Sequence, residues 1–194
     1  MKRELFSTPN QLTLLRLFFV PFIAICVLER RFHTALILVV LAGFSDGLDG
    51  LAARLLHQQT KLGEYLDPIV DKLLLSSLFL VLSFRRLIPW RYTVLVFSRD
   101  VSILIISALL YLFGLRDFRP GVFGKINTAC QIGAVFFVLA AQVYPAPAVW
   151  ITRQLLLYAV FAFTLASAVQ YVFLTGYRLK QLQETKSEGM KTAE

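Results

Sequence analysis

Residues 44–72 read FSDGLDGLAARLLHQQTKLGEYLDPIVDK, two apolar stretches that both carry carboxylates. At 100° per residue, Asp46, Asp49, Gly50, Ala53 and Arg54 share one helical face, backed by Phe44, Leu48, Leu51 and Leu55. Gly63, Asp67 and Asp71 follow at four-residue spacing and share a face of the next helix. The connection around 57–62 is short, which predicts antiparallel neighbours. Two carboxylates are thereby expected to face two more across a helix pair.

The rest of the chain has the same apolar character. Of 194 residues 57% are hydrophobic and only 16% charged, and the net charge is +8. Soluble domains average about 25% charged residues. Mean hydropathy is +0.67, which excludes a disordered chain and argues against an ordinary soluble domain. No stripe of Lys and Arg lies on a polar face, so nucleic acid is not an expected partner. Runs of about 20 apolar residues suit membrane helices. Six such runs occur, at 11–30, 34–56, 63–84, 90–114, 123–143 and 149–174. The expected fold is all-α, a polytopic membrane protein with six spans and a short amphipathic N-terminal segment. The first run is too long for the apolar core of a signal peptide, and Ile25 before Cys26 is too bulky for lipoprotein cleavage. Pro21 marks a kink in that run.

Counting Lys and Arg between runs assigns 11 to the side that holds Lys2, Lys61, Arg116, Arg119 and Lys125, and 6 to the side that holds Arg30, Arg31, Arg85, Arg86, Arg91 and Arg153. The excess predicts both termini in the cytoplasm. Residues 1–175 read as one transmembrane catalytic domain and 176–194 as a frayed, polar cytoplasmic tail. Cys26 and Cys130 lie in apolar runs and are expected as free thiols. His33 and His57 are isolated, so a histidine-based site is not expected.

Five of the 12 acidic residues fall inside the apolar runs: Asp46, Asp49, Asp67, Asp71 and Asp100. A carboxylate at membrane depth costs at least about 2.5 kcal/mol and must be paired or used. Asp100 beside Arg99 reads equally as a simple ion pair, and Lys72 reads as a local counter-charge. The other four are too concentrated for pairing alone. Four clustered carboxylates repel unless a cation compensates. An all-oxygen donor set without Cys or His suits Mg²⁺, Mn²⁺ or Ca²⁺. Gly50, Ala53 and Gly63 leave room for close approach, and Arg54 supplies a planar donor fork for phosphate.

The pattern Asp46-Gly-Leu-Asp49-Gly50-Leu-Ala-Ala53-Arg54, eight residues, then Gly63-Glu-Tyr-Leu-Asp67-Pro-Ile-Val-Asp71 resembles the signature of the CDP-alcohol phosphotransferase family at all eight positions. Two weaker similarities lie outside it. Asn10-Gln-Leu-Thr13-Leu-Leu-Arg16 is similar to the family's N-terminal amphipathic segment, and Gly124-Lys125-Ile-Asn127-Thr128-Ala-Cys-Gln131 to a segment of its phospholipid synthases. The resemblance implies a reaction in which an alcohol attacks a CDP-linked lipid, CMP leaves and a phosphodiester forms. It implies a two-metal centre of Mg²⁺ or Mn²⁺ on Asp46, Asp49, Asp67 and Asp71, with Asp71 also the base that takes the acceptor's proton. It further implies that Asp49, Gly50, Ala53, Arg54 and Gly63 bind the CDP moiety of CDP-diacylglycerol.

For the acceptor, Arg99, Lys125, Arg116 and Arg119 are the candidate cations, with Arg153 a weaker one on the far side. Glycerol 3-phosphate, giving phosphatidylglycerophosphate, is the leading expectation. The Arg99-Asp100 pair and Asn127 look more like the family's cardiolipin synthases, whose acceptor is phosphatidylglycerol. Inositol phosphate is a third option. Two other classes compete on the carboxylates alone. A divalent-cation transporter leaves Arg54 and the small residues unexplained, and an intramembrane prenyltransferase has its Asp motifs widely separated. With a cytoplasmic N-terminus the 46–71 helix pair meets on the cytoplasmic side, where a soluble nucleotide would leave, and a bacterial inner membrane is the expected location. The resemblance also implies a homodimer packed through later spans. Gly133, Ala134, Ala140 and Ala141 would allow close packing either between copies or within one.

Overall fold

The computed structural model describes the backbone of residues 8–56, 61–112 and 122–191, with side chains at 18–44, 72, 74–103, 105, 123–170 and 176. Every element in it is helical. They are α1 (Thr8–Leu28), α2 (Phe32–Leu56), α3 (Lys61–Phe84), α4 (Trp90–Leu112), α5 (Val122–Val143) and α6 (Pro147–Lys191). The starts and ends fall within a few residues of the expected runs, except at the C-terminal end. There α6 continues as helix through 176–191, where a frayed tail was expected. Polar, Lys- and Gln-rich sequence there retains good helix propensity, which the apolar count did not register.

The turns explain where the helices stop. Arg31 N–H donates to the Cys26 carbonyl and Arg30 N–H to Val27, with Arg30 at φ 62°. The same pair of bonds recurs at Leu87 to Leu82 and Arg86 to Ser83, with Arg86 at φ 58°. This left-handed cap satisfies the last carbonyls of α1 and α3. Pro89 precedes α4, and Pro147 occupies the first position of α6, where its missing N–H costs nothing. α1 runs as one helix through Pro21.

The helices close into a ring. α1 packs on α2, α2 on α5, α5 on α6, α6 on α4, α4 on α3 and α3 on α1, with α3 also touching α5 across the middle. The described parts of α2 and α3 line a shared cavity that α1 and α5 complete, and the faces expected to pair, 46–54 and 63–71, lie outside the described side chains.

Among the described side chains the apolar core lies between the helices as one cluster. Ile23, Phe79, Leu82, Ile88, Leu139 and Leu157 are its largest fully buried members. Nearly all lie towards the connections at 29–31, 85–89 and 144–146. α5 and α6 come close because α5 is lined with small residues. Ala134, Ala140 and Ala141 are buried, and a Cβ on Gly133 would rest 3.4 Å from Leu156. These small residues are therefore used within one chain. Outward, every helix exposes large apolar side chains, among them Phe18, Leu41, Phe84, Phe97, Phe123 and Leu155. Such a surface suits lipid rather than water. Among the described residues, Phe123–Val143 and Pro147–Gln170 are long and apolar enough to cross a membrane, and Phe18–Leu28, Phe32–Phe44 and Leu74–Phe84 are shorter apolar segments. Cys26 and Cys130 are free.

Candidate active site

The signature residues lie on two helices at one end of the ring. Asp46, Asp49, Gly50, Ala53 and Arg54 belong to the last three turns of α2, and Gly63, Asp67 and Asp71 to the first three turns of α3. Asp46 is ten residues from the end of α2 and Asp71 ten residues from the start of α3. Both ends adjoin the same connection, so all four carboxylates sit within about 15 Å of it along the helix axes. The side chains of these eight residues lie outside the described ones, as do Arg116 and Arg119 entirely. Among the described residues no three Cys, His, Asp or Glu gather as metal ligands. The donor set on α2 and α3 is all carboxylate, a chemistry that fits hard divalent ions.

Immediately after Asp71, the described structure contains a charged cluster. Lys72 Nζ donates to Asp100 Oδ1 at 2.9 Å, and Arg99 Nη1 donates to the same oxygen at 2.6 Å. The Arg99 guanidinium then reaches α6, where Nη2 and Nε donate to Ser167 Oγ at 2.9 and 3.3 Å. Three helices are tied together by these bonds. The side chains of Arg99 and Asp100 are 5% and 7% exposed, whereas Lys72 is 27% exposed. Arg99–Asp100 is thus an ion pair, as its sequence alternative had it, but Lys72 shares the carboxylate.

α6 carries the matching polar seam. Arg153, Leu157, Val160, Thr164 and Ser167 are all buried along one stripe of it, with a guanidinium at one end, apolar residues in the middle and hydroxyls at the other end. Thr164 Oγ1 donates to Asn127 Oδ1 on α5 at 3.1 Å. Asn127 Nδ2 and, one turn on, Gln131 Nε2 are buried with no hydrogen-bond partner among the described residues. Sequence reasoning did not single out Thr164 or Ser167. Two hydroxyls three residues apart in an otherwise apolar run were the available signal.

Lys125 lies exposed near the start of α5, two residues before the buried Asn127. Arg153 does not belong to this site. It is buried at the other end, donates Nη2 to the Leu87 carbonyl and stacks over Trp150 with Cζ 4.4 Å from the ring centroid. It closes the 85–89 connection, a structural task that a charge count cannot distinguish from ligand binding.

Between α1, α2, α3 and α5 lies an apolar cavity of about 100 Å³. Gly43, three residues before Asp46, and Leu74, three after Asp71, both line it, with Ile23, Thr128 and Ile132. A Cβ on Gly43 would meet nothing within 4 Å. The cavity is therefore bordered by residues one helical turn from both carboxylate-bearing segments.

Residues 6–176 match the model of the CDP-alcohol phosphatidyltransferase family. The chain belongs to this family. It is 34% identical over 157 residues to the cardiolipin synthase (CMP-forming) of Rattus norvegicus, covering 71% of this chain and 51% of that protein. The Homo sapiens cardiolipin synthase (CMP-forming) is 33% identical over the same length. The CDP-diacylglycerol–glycerol-3-phosphate 3-phosphatidyltransferase of Aquifex aeolicus is 31% identical over 177 residues, 89% of this chain and 97% of that protein. The chain spans about half the length of the mammalian relatives it matches. The family match runs from before α1 to beyond Ser167, so it covers the carboxylate segments and the Lys72–Asp100–Arg99–Ser167 cluster alike.

Proposed function

We propose that this protein is a membrane phospholipid synthase that transfers the phosphatidyl group of CDP-diacylglycerol to an alcohol, releasing CMP. The observation that carries the reading is the placement of Asp46, Asp49, Asp67 and Asp71 beside one connection of an otherwise apolar ring, next to a buried charged cluster. In this reading all six helices span the membrane, the termini are cytoplasmic, and the protein sits in a bacterial inner membrane. The carboxylate end of the ring then faces the cytoplasm, where a soluble nucleotide leaves. The homodimer belongs to the same proposal. Because the small residues of α5 pack within the chain, the dimer face lies elsewhere.

Asp46, Asp49, Asp67 and Asp71 would hold two divalent ions, Mg²⁺ or Mn²⁺, which when bound neutralise the pyrophosphate and stabilise the leaving phosphate. Gly50, Ala53 and Gly63 admit the nucleotide closely, with Asp49 beside them, and Arg54 pairs with its phosphate. Asp71 takes the proton of the acceptor hydroxyl. The hydroxyl oxygen then bonds to the phosphatidyl phosphorus, and the bond from that phosphorus to CMP breaks with its electron pair on the CMP phosphate. Lys125, Arg116 and Arg119 supply positive charge for an anionic acceptor, and Arg99, first a candidate for the same task, instead holds Asp100 and Ser167.

Glycerol 3-phosphate is the acceptor in this proposal, favoured by similarity to the Aquifex protein along nearly its whole length. Phosphatidylglycerol is the second reading, favoured by 34% identity to the rat cardiolipin synthase. The test supplies purified protein with CDP-diacylglycerol and one acceptor at a time, and measures CMP and the lipid product. CMP release with phosphatidylglycerophosphate supports the first reading, and CMP release with cardiolipin the second. Mn²⁺ uptake into liposomes without CMP release would replace both with a transporter.

A further inference from the structure

The charged cluster next to Asp71 is asymmetric in a way that bears on the acceptor. Arg99 spends Nη1 on Asp100 and both Nε and Nη2 on Ser167, and its side chain is 5% exposed. That guanidinium is a fixed strut between α4 and α6. Lys72 is held by the same carboxylate oxygen through one of its three N–H donors, yet its side chain is 27% exposed. It is the reachable cation of the set. It is also the residue directly after Asp71, 1.5 Å further along the helix axis in regular helix geometry.

From this we propose that Lys72 is the acceptor's anion contact, held in place by Asp100, Arg99 and Ser167 as positioning residues. The inference rests on the phosphatidyl-transfer reading above and names the group that selects its acceptor. Both acceptors considered share one chemistry, a glycerol with the reacting hydroxyl at one end and a phosphate on its third carbon. Asp71 and Lys72 leave the helix at nearly one level but about 100° apart, so a base for the hydroxyl and a cation for the phosphate are offered to the two separate ends of that unit. The Asp100 carboxylate keeps the long lysine side chain from sampling other rotamers, so less freedom is lost when the anion binds. Ser167, by fixing Arg99, fixes Asp100 in turn.

The experiment compares wild type with Lys72→Met and Lys72→Arg, reading KM separately for CDP-diacylglycerol and for each acceptor. Lys72→Met is expected to raise the acceptor KM at least about tenfold, the loss of one charge-assisted hydrogen bond. The donor KM stays within about twofold, and Lys72→Arg recovers most of the acceptor KM by keeping the cation. With uncharged glycerol as a slow acceptor, Lys72→Met and wild type should be alike. A shift seen with glycerol 3-phosphate identifies a free phosphomonoester as the bound anion, and a shift with phosphatidylglycerol identifies a membrane phosphodiester. An acceptor KM within twofold of wild type for both overturns the inference, as does an equal rise in the donor KM. Should Lys72→Met fail to fold, Lys72→Gln read on the same substrates gives the same decision. Wild type that releases no CMP with either acceptor sinks the underlying reaction instead, which keeps the two failures apart.

Discussion

Replacing Asp100 by Asn tests the cluster as a structural element. Lys72 Nζ and Arg99 Nη1 lie 2.9 and 2.6 Å from the same carboxylate oxygen, so the two nitrogens are at most 5.5 Å apart. With the intervening charge removed, two cations at 5.5 Å repel by about 3 kcal/mol at an effective dielectric of about 20. Breaking a buried ion pair by removing one partner costs about 3–5 kcal/mol, which brackets that figure. The expected result for Asp100→Asn is a loss in that range, or a fall in unfolding midpoint of roughly 10 °C for a chain of this size. The assay is a thermal or denaturant unfolding curve in one detergent or nanodisc composition, followed by tryptophan fluorescence. The second half of the cycle adds Lys72→Met to Asp100→Asn. Removing one of the two repelling cations should return about 2–3 kcal/mol, so that the double variant is more stable than the single one. A loss below about 1 kcal/mol for Asp100→Asn, or no gain from the second substitution, would refute the claim that this carboxylate holds the two cations together.

Three further outcomes are expected. Asp71→Asn should lower CMP release by about 10²-fold or more while the unfolding curve stays near that of wild type. Near-normal turnover would remove Asp71 from the proton transfer. Excess EDTA should stop CMP release and Mg²⁺ or Mn²⁺ should restore it, whereas full activity in chelator would take the metal centre out of the proposal. Arg86→Gly, at φ 58°, should raise stability by about 1 kcal/mol through relief of the left-handed strain. A clear loss there would mean that the arginine side chain contributes more than the backbone costs.

Much of the fold was legible from run length and punctuation. Prolines at 89 and 147, and arginine pairs at 30–31 and 85–86, mark the helix ends because they sit where the chain leaves an apolar run. Helix order around the ring was not legible. In a chain with lipid on one side and a core on the other, both faces of a helix are apolar. Phe44 is exposed and Phe79 fully buried, yet nothing in their side chains distinguishes them. The four carboxylates stand out as a candidate site because a charge is rare in such sequence. The bond from Arg99 to Ser167 joins residues 68 apart and depends on α4 lying against α6, an adjacency that no local pattern encodes. Arg153 was placed on the far side by its charge count, but its task there was not legible. Its partner is a backbone carbonyl at Leu87, and sequence shows carbonyls everywhere alike.

The chain of bonds from Lys72 through Asp100 and Arg99 to Ser167 has a mechanical consequence. It crosses three helices and so acts as a tie-bar. A displacement of α6 at Ser167 pulls on Arg99 and, through the shared Asp100 oxygen, on Lys72. Hydrogen bonds are short and directional, whereas dispersion contacts let surfaces slide, so the bar resists shear of α3, α4 and α6 where apolar packing alone would yield.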